Sequence, residues 1–281
     1  MKLYMTNIAL EKYKDALLGD KKSENTVREY INIVENFLEY VKKDPEKVTS
    51  EDIEEYKVYL AVERYYSKNS IYSVIKALQS FYKFLKLETA MNISVPRRPK
   101  QIPKYLTLSE TTKLLETAKP DRRDYAILLI LAYTGLRVNE LCNLKISDID
   151  FVEKVIHVQS GKGDKDRIVI MEDKALEALK KYLEVRTPVK NYLFTSQKKT
   201  RISPVHVERL VRNYAIKCGI TKKVTPHVLR HTFATTLLRN GADIRFIQQI
   251  LGHSSLATTQ IYTHVDDQSL KYAYEKAKPN Y

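Results

Sequence analysis

The chain has 281 residues, of which 43% are hydrophobic, and it carries a net charge of +14 at pH 7. Seven glycines, nine prolines and two cysteines exclude a collagen-like, low-complexity or disulfide-framework protein. No apolar run approaches the ~20 residues that a membrane helix needs, and the amino terminus lacks the pattern of a signal peptide. Composition therefore predicts a cytoplasmic protein of one or two domains that does not interact with a membrane.

The positive charge is unevenly distributed along the chain. Residues 1–96 hold 15 basic and 15 acidic side chains, whereas residues 97–104 hold four basic side chains and no acidic one. The rest of the excess lies in residues 105–281. A field of this sign attracts polyanions, of which nucleic acid is the commonest inside a cell. A lysine-rich solvated surface would have the same composition, so charge alone leaves both interpretations open.

The beginning of the chain has helical periodicity. Apolar side chains recur every three or four positions in residues 27–41 and again in residues 71–85. A capping box in residues 49–52 predicts the start of another helix, and residues 7–18 could supply a fourth. We therefore predict a small helical domain over residues 1–95.

Prolines and basic residues then predict a solvated linker over residues 96–104, followed by a second domain over residues 105–281. A capping box in residues 107–110 opens this domain's first helix. Residues 122–134 form a largely apolar helix that ends at Gly135, and its composition is typical of a buried core.

The period changes from helix to strand in the middle of the second domain. Residues 155–159 and 167–171 are rich in β-branched side chains, and the segment between them is a glycine-rich, basic hairpin tip. Residues 192–195 could add an edge strand, and helices resume near Pro204. The predicted fold class is mainly α with a small antiparallel β-sheet.

A helix start in the second domain carries a candidate phosphate site. Thr225 is a good N-cap and Pro226 suits the first helical position. His227 and Arg230 share a face of the first turn, where free N–H groups favour an anion. A packed or capping histidine would have the same pattern. Because His231 lies nearby, a zinc site is another possible interpretation, although the glutamate of the common zinc motif is missing.

The next helix is capped by Asp243 and stopped by Gly252, which places His253 on a loop. Tyr262 follows nine residues later. The chain has 20 tyrosines, so composition alone does not single out this one.

Two further segments carry charged side chains beside glycines. Arg137 follows the stop at Gly135, and Glu140 comes three residues later, a spacing also typical of a surface ion pair. Lys162 lies between two glycines at the hairpin tip. A phosphate-binding P-loop is excluded there, because its residue order is missing and a strand follows instead of a helix.

Together these segments resemble the tyrosine recombinases of the phage integrase family over the whole chain, and they are most similar to the Xer recombinases, including archaeal ones. The shared motifs are TGLRVNEL, GKGDKDR, HVLRH and LGHSSLATTQIYTH, which contain six key positions: Arg137, Lys162, His227, Arg230, His253 and Tyr262. Successive spacings of 3, 23 and 9 residues separate the last four. The resemblance implies a helical, SAM-like core-binding domain followed by a catalytic domain.

The resemblance also implies an activity, namely site-specific recombination of DNA through a 3′-phosphotyrosyl intermediate. Tyr262 would be the nucleophile, with His227 as acceptor of its proton and Lys162 as the general acid. No cofactor, metal ion or ATP would be needed.

The transition state would be stabilised by cationic and hydrogen-bonding groups. The resemblance implies that Arg137, Arg230 and His253 contact the reacting phosphate, while Glu140 orients Arg137. The expected partner is a double-stranded DNA site, bound by a dimer and, in the synapse, by a tetramer linked through the tail 265–281. The resemblance also leaves open a second, paralogous recombinase as a partner.

Several alternatives are open at this point. The biological task could be resolution of chromosome dimers, which the compact length favours, or integration of a mobile element or resolution of a plasmid. The other candidates are strand cleavage of the type IB topoisomerase kind, DNA binding without catalysis, and a zinc hydrolase that uses His227, His231 and His253.

Overall fold

The structure is a computed structural model that describes residues 2–89, 93–95, 104–159, 166–187, 191–196, 198 and 200–252. Contacts divide the chain into two compact units, Met1–Gln101 and Ile102–Tyr281. We call them the N-terminal unit and the C-terminal unit. The predicted linker 96–104, apart from Lys104, and the tail 265–281 lie outside the described residues.

The N-terminal unit is helical, as its periodicity predicts. Its described helices are α1 (Lys2–Gly19), α2 (Glu24–Val41), α3 (Ser50–Val62) and α4 (Lys68–Phe84). The predicted capping box is present, since the Thr49 hydroxyl accepts a hydrogen bond from the Asp52 amide and the Asp52 carboxylate accepts one from the Thr49 amide. The apolar stripes of α2 and α4 face each other and bury Phe37, Leu78 and Phe81 completely.

The C-terminal unit is also mainly helical. Its described helices are α5 (Leu108–Ala118), α6 (Arg122–Thr134), α7 (Val138–Asn143), α8 (Asp173–Val185), α9 (Pro204–Lys217), α10 (Pro226–Arg239) and α11 (Ile244–Leu251). Residues 126–131 of α6 are fully buried, which confirms the prediction that this apolar helix is the core of the unit. Within the described ranges, no helix is both long enough and apolar enough to cross a bilayer.

A small antiparallel sheet completes the C-terminal unit. Its strands are β1 (Ile149–Asp150), β2 (Val155–Val158) and β3 (Arg167–Ile170), in the order β1-β2-β3. The predicted pairing of β2 with β3 is confirmed, with Val155 opposite Ile170 and Val158 opposite Arg167. The tip of this hairpin, residues 160–165, lies outside the described residues.

The prediction of an edge strand at residues 192–195 is wrong. Tyr192 and Thr195 form only isolated bridges, to Lys145 and Arg201. The consecutive residues Leu193 and Phe194 are both fully buried, so this segment lacks the alternation of a half-buried strand. Its apolar side chains enter the core instead, and β1 pairs with β2 at the sheet edge.

Candidate active site

Helix α10 begins as the sequence predicts, but its two candidate side chains lie in different surroundings. The Thr225 hydroxyl accepts a hydrogen bond from the Val228 amide at 3.3 Å. His227 is exposed, whereas only 5% of Arg230 is exposed. A buried guanidinium is unfavourable unless its N–H groups find acceptors, so the partners of Arg230 define the site.

Arg230 joins the ends of two other helices. Its Nη1 donates to the carbonyl oxygen of Gly135 at 2.6 Å, and its Nη2 donates to the carbonyl oxygen of Leu251 at 2.6 Å. Gly135 is the C-cap of α6 and Leu251 is the last residue of α11. Because final helix carbonyls lack intrahelical partners and carry partial negative charge, a guanidinium is well suited to both.

Arg137 lies two residues beyond that first acceptor and reaches the same helix end. Its Nη2 donates to the Gly252 carbonyl oxygen at 2.8 Å, and its Nη1 donates to Oε1 of Glu140 at 2.9 Å. The backbone amide of Arg137 also donates to Oε2 of Glu140 at 2.7 Å. The Glu140 side chain is only 11% exposed, so this is not the solvent-exposed ion pair that the spacing also allowed.

A third arginine, which the sequence did not single out, completes this arrangement. Arg167 donates from Nη1 to Oε1 of Glu140 at 2.9 Å and from Nη2 to Oε2 at 2.8 Å. Its Nε donates to the Ile250 carbonyl oxygen at 2.8 Å. Arg167 is the last residue of the GKGDKDR motif and lies on the same buried face of β3 as Val169. The sequence feature that could have identified Arg167 is a cationic residue at an inward-facing position of a predicted strand.

Glu140 is the anion shared by two of these cations. Burial by itself would raise the pKa of its carboxyl group. The hydrogen bonds and charge of Arg167, followed by those of Arg137, outweigh burial and hold this pKa below its ordinary value. Glu140 is therefore ionised at neutral pH, and the two guanidiniums keep their geometry around a fixed carboxylate.

The three arginines converge on three successive carbonyls at the C-terminal end of α11. Arg167 binds the carbonyl of Ile250, Arg230 that of Leu251, and Arg137 that of Gly252. The sequence motifs that supply them are widely separated, and the fold brings them to the residue just before His253. Forked guanidiniums placed together in this way can bind a phosphate through several N–H groups at once.

Lys162, His253 and Tyr262 lie outside the described residues. The zinc alternative rested partly on His231, which is half-buried. Burial, with the nearby charges of His227 and Arg230, lowers the pKa of His231 to about 4. Among the residues that the structure describes, no group of three or more His, Cys, Asp or Glu side chains is placed to hold a metal ion.

Models of known protein families match both units of the chain. The model of the phage integrase family covers residues 104–269, and that of the phage integrase N-terminal SAM-like domain covers residues 9–89. The chain is 44% identical to the tyrosine recombinase XerA of Pyrococcus furiosus over 273 residues, which are 95% of this chain and 93% of the relative.

Solved structures are similar over nearly the same span. A crystal structure of XerA recombinase is 52% identical, with a TM-score of 0.60 and coverage of 98% of this chain and 100% of that one. The post-cleavage complex of XerH site-specific recombinase with a palindromic difH substrate is 26% identical, with a TM-score of 0.75 and coverage of 89% and 79%.

The chain therefore belongs to the phage integrase family. Within that family it is a site-specific tyrosine recombinase of the Xer type, an enzyme that transfers DNA strands. The predicted fold class is confirmed, with a helical SAM-like domain preceding a catalytic domain that contains the small sheet. The mobile-element and topoisomerase alternatives are not favoured by these relatives.

Proposed function

We infer that this recombinase cuts one DNA strand by attack of the Tyr262 hydroxyl on a backbone phosphate. The bond from phosphorus to the 5′-oxygen breaks, which leaves a 3′-phosphotyrosyl link and a free 5′-hydroxyl. The observation that carries this proposal is the convergence of Arg137 and Arg230 on the last carbonyls of α11. The chain reaches His253 in the next residue and Tyr262 nine residues later.

The two arginines would stabilise the reacting phosphate. Attack on a phosphodiester places negative charge on its non-bridging oxygens, and preformed N–H donors stabilise that charge most when water is excluded. Arg137 and Arg230 are fixed by their carbonyl and carboxylate contacts before DNA binds. His253 would add a further hydrogen bond to the same oxygens.

Two proton transfers accompany the cleavage. A tyrosine has an ordinary pKa of about 10 and needs a base near neutral pH. His227, exposed at the start of α10, would accept the proton of Tyr262. Lys162 would donate a proton to the leaving 5′-oxygen. Reversal of the same steps by a 5′-hydroxyl of the second duplex would rejoin the strands.

The covalent intermediate removes the need for an energy source. The phosphotyrosyl bond retains the free energy of the broken phosphodiester, so rejoining requires no ATP. The two arginines and Lys162 would supply the positive charge that metal-dependent nucleases obtain from bound cations. We propose that the reaction proceeds without a metal ion or another cofactor.

We propose the assembly and the cellular task by analogy with the relatives. We propose that domain 1–95 binds the core of the DNA site and that domain 105–281 carries the chemistry. The XerH relative was solved on a palindromic site, and a palindrome matches a two-fold protein dimer. Two such dimers, joined through the tail 265–281, would form the synaptic tetramer.

The relatives named XerA and XerC favour resolution of chromosome dimers in the cytoplasm as the cellular task. In a variant of this proposal, the protein acts with a paralogue instead of a second copy of itself. Experiments that mix the two proteins would reveal this.

A suicide substrate tests the chemistry. The duplex carries the site that the protein selects from a random-sequence library, with a nick near the candidate cleavage position that lets the cut fragment diffuse away. Wild-type protein should form a covalent adduct that survives denaturation, and Tyr262→Phe should form none. Tyr214→Phe is the matched control, because the Tyr214 hydroxyl bonds Asp124 at 3.2 Å and takes no part in the proposed chemistry.

An adduct that persists in Tyr262→Phe, or a wild-type protein that binds the site and never forms one, would refute the proposal. Relaxation of supercoiled plasmid that lacks the site, without exchange between two sites, would favour the topoisomerase alternative.

A further inference from the structure

Arg167 has no role in the chemistry proposed above, although only 9% of it is exposed, compared with 5% of Arg230, the predicted catalytic arginine of α10. The Arg167 side chain is 5% exposed, compared with 30% for that of Arg137. It begins β3 opposite Val158, at the base of the hairpin whose tip carries Lys162. A cation in this position reduces stability unless its partners compensate for the lost hydration, so a structural role alone is a poor reason to place one here.

The contacts of Arg167 connect separate parts of the site. Two of its N–H groups bind the two carboxylate oxygens of Glu140 side by side, at 2.9 and 2.8 Å. A third binds the Ile250 carbonyl at 2.8 Å. Oε1 of Glu140 also accepts from Nη1 of Arg137. One carboxylate oxygen is therefore shared by the two guanidiniums, and any rotation of Glu140 would move the donor that it orients.

The geometry requires arginine at this position. The planar guanidinium presents paired N–H groups to a carboxylate while its Nε points elsewhere, whereas a lysine ammonium is a single point donor. Lysine at position 167 would keep the charge but could not hold both oxygens of Glu140 and the Ile250 carbonyl at once. The positions of Glu140 and of the end of α11 would then be free to vary.

Gly252 packs directly against this guanidinium. A Cβ atom at position 252 would lie 2.9 Å from Nη1 of Arg167 and 3.1 Å from its Cδ. The φ angle of Gly252 is +65°, which also favours glycine. The chain that leads to His253 therefore leaves α11 in contact with Arg167, and the position of Arg167 influences where that chain begins.

We propose that Arg167 is a positioning residue for strand cleavage: it fixes Glu140, and through Glu140 the guanidinium of Arg137, while it anchors the end of α11 before His253. This inference rests on the proposed function, because it assigns Arg137 to the reacting phosphate. Arg167 itself touches neither the phosphate nor the nucleophile in this scheme.

The test combines single-turnover cleavage of the suicide substrate at saturating protein with DNA affinity and thermal stability. Arg167→Lys should lower the cleavage rate by roughly 10- to 100-fold, the range expected from misplacing a catalytic group, while DNA affinity stays unchanged. In an Arg137→Lys background the same substitution should have a much smaller effect, because residues that act through one another are not additive.

Arg123→Lys is the matched control. Its guanidinium bonds Asp124 through Nε and Nη2 at 2.9 and 2.8 Å and is 20% exposed, away from the arginine cluster. We expect this variant to cleave at the wild-type rate. If Arg167→Lys does not fold, Glu140→Gln tests the same link, since it should slow cleavage in the wild-type background and much less with Arg137→Lys.

The outcomes separate the two proposals. A wild-type protein without any adduct would refute the proposed function, and this inference with it. Normal wild-type cleavage that is unaffected by Arg167→Lys would overturn the positioning role. Cleavage slowed equally in both backgrounds would overturn the link through Glu140 to Arg137, and either result would leave the proposed function standing. Slowed cleavage in Arg123→Lys by the same factor would also overturn it, since the effect would then be one of general stability.

Discussion

The two units of the molecule bury different kinds of side chain. The described core of the N-terminal unit consists of aliphatic and aromatic residues such as Phe37, Leu78 and Phe81. In the C-terminal unit the buried set also contains the cations Arg167 and Arg230. Apolar burial stabilises a fold directly, whereas a buried cation needs acceptors arranged around it. The C-terminal unit therefore buries charge in the region where we propose that the chemistry takes place.

The largest expected effect comes from Arg230, the buried cation that we assign to the reacting phosphate. Arg230→Lys should lower the single-turnover cleavage rate by roughly 100- to 1000-fold, the loss typical of removing one preorganised donor. The substitution also leaves at least one of the Gly135 and Leu251 carbonyls without its donor. A cleavage rate within a factor of a few of wild type would show that this arginine is structural and would remove the contrast between the units.

Two glycines of the C-terminal unit allow a matched comparison of the stability lost on substitution by alanine. Gly135 and Gly219 both have positive φ angles, +63° and +78°. A Cβ at Gly135 would lie 2.5 Å from the Phe233 ring and 2.9 Å from Leu251, whereas nothing lies within 4 Å of a Cβ at Gly219. Gly219→Ala should cost about 1–2 kcal/mol of backbone strain. Gly135→Ala should cost about 1 kcal/mol or more in addition, from overpacking.

Chemical denaturation of both alanine variants measures this difference. Equal losses would mean that the neighbours of Gly135 move aside without penalty. The end of α6 would then be less firmly held than the contacts of Arg230 indicate.

The ionisation of Glu140 gives the C-terminal unit a pH dependence. Because the folded state lowers the pKa of this carboxyl from its ordinary 4.5, its stabilising effect is complete above that value. The effect is lost as pH falls through the lower folded-state pKa. The stability difference between wild type and Glu140→Gln should therefore be largest near neutral pH and shrink in acid. A difference that grows below pH 4.5 would contradict the sign of this shift.

The smallest expected effect concerns helix capping, which occurs in the same form in both units. Thr49 caps α3 and Thr107 caps α5, and each forms a complete capping box. Thr49→Ala and Thr107→Ala should each cost about 1 kcal/mol in the free energy of unfolding. Similar losses, measured by denaturation of the full chain, would show that helix caps act alike in both units and that buried charge is what distinguishes them.

Most of the local structure could be predicted from the sequence. Helix starts at Thr107 and Thr225, the stop at Gly135 and the hairpin of β2 and β3 depend on neighbouring residues, and they lie where the motifs predicted them. Residues 192–195 were predicted wrongly because β-branched and aromatic composition does not distinguish an edge strand from a buried irregular segment.

The sequence by itself determined the family, through the order and spacing of its motifs, and it determined the helices and the hairpin, because caps, periodicity and turn residues act over a few positions. Only the tertiary structure decided that Arg167 joins Glu140 and that three arginines meet at the end of α11. The physical reason is that a buried guanidinium is defined by its acceptors. For Arg167 these acceptors come from α7 and α11, far away in the chain.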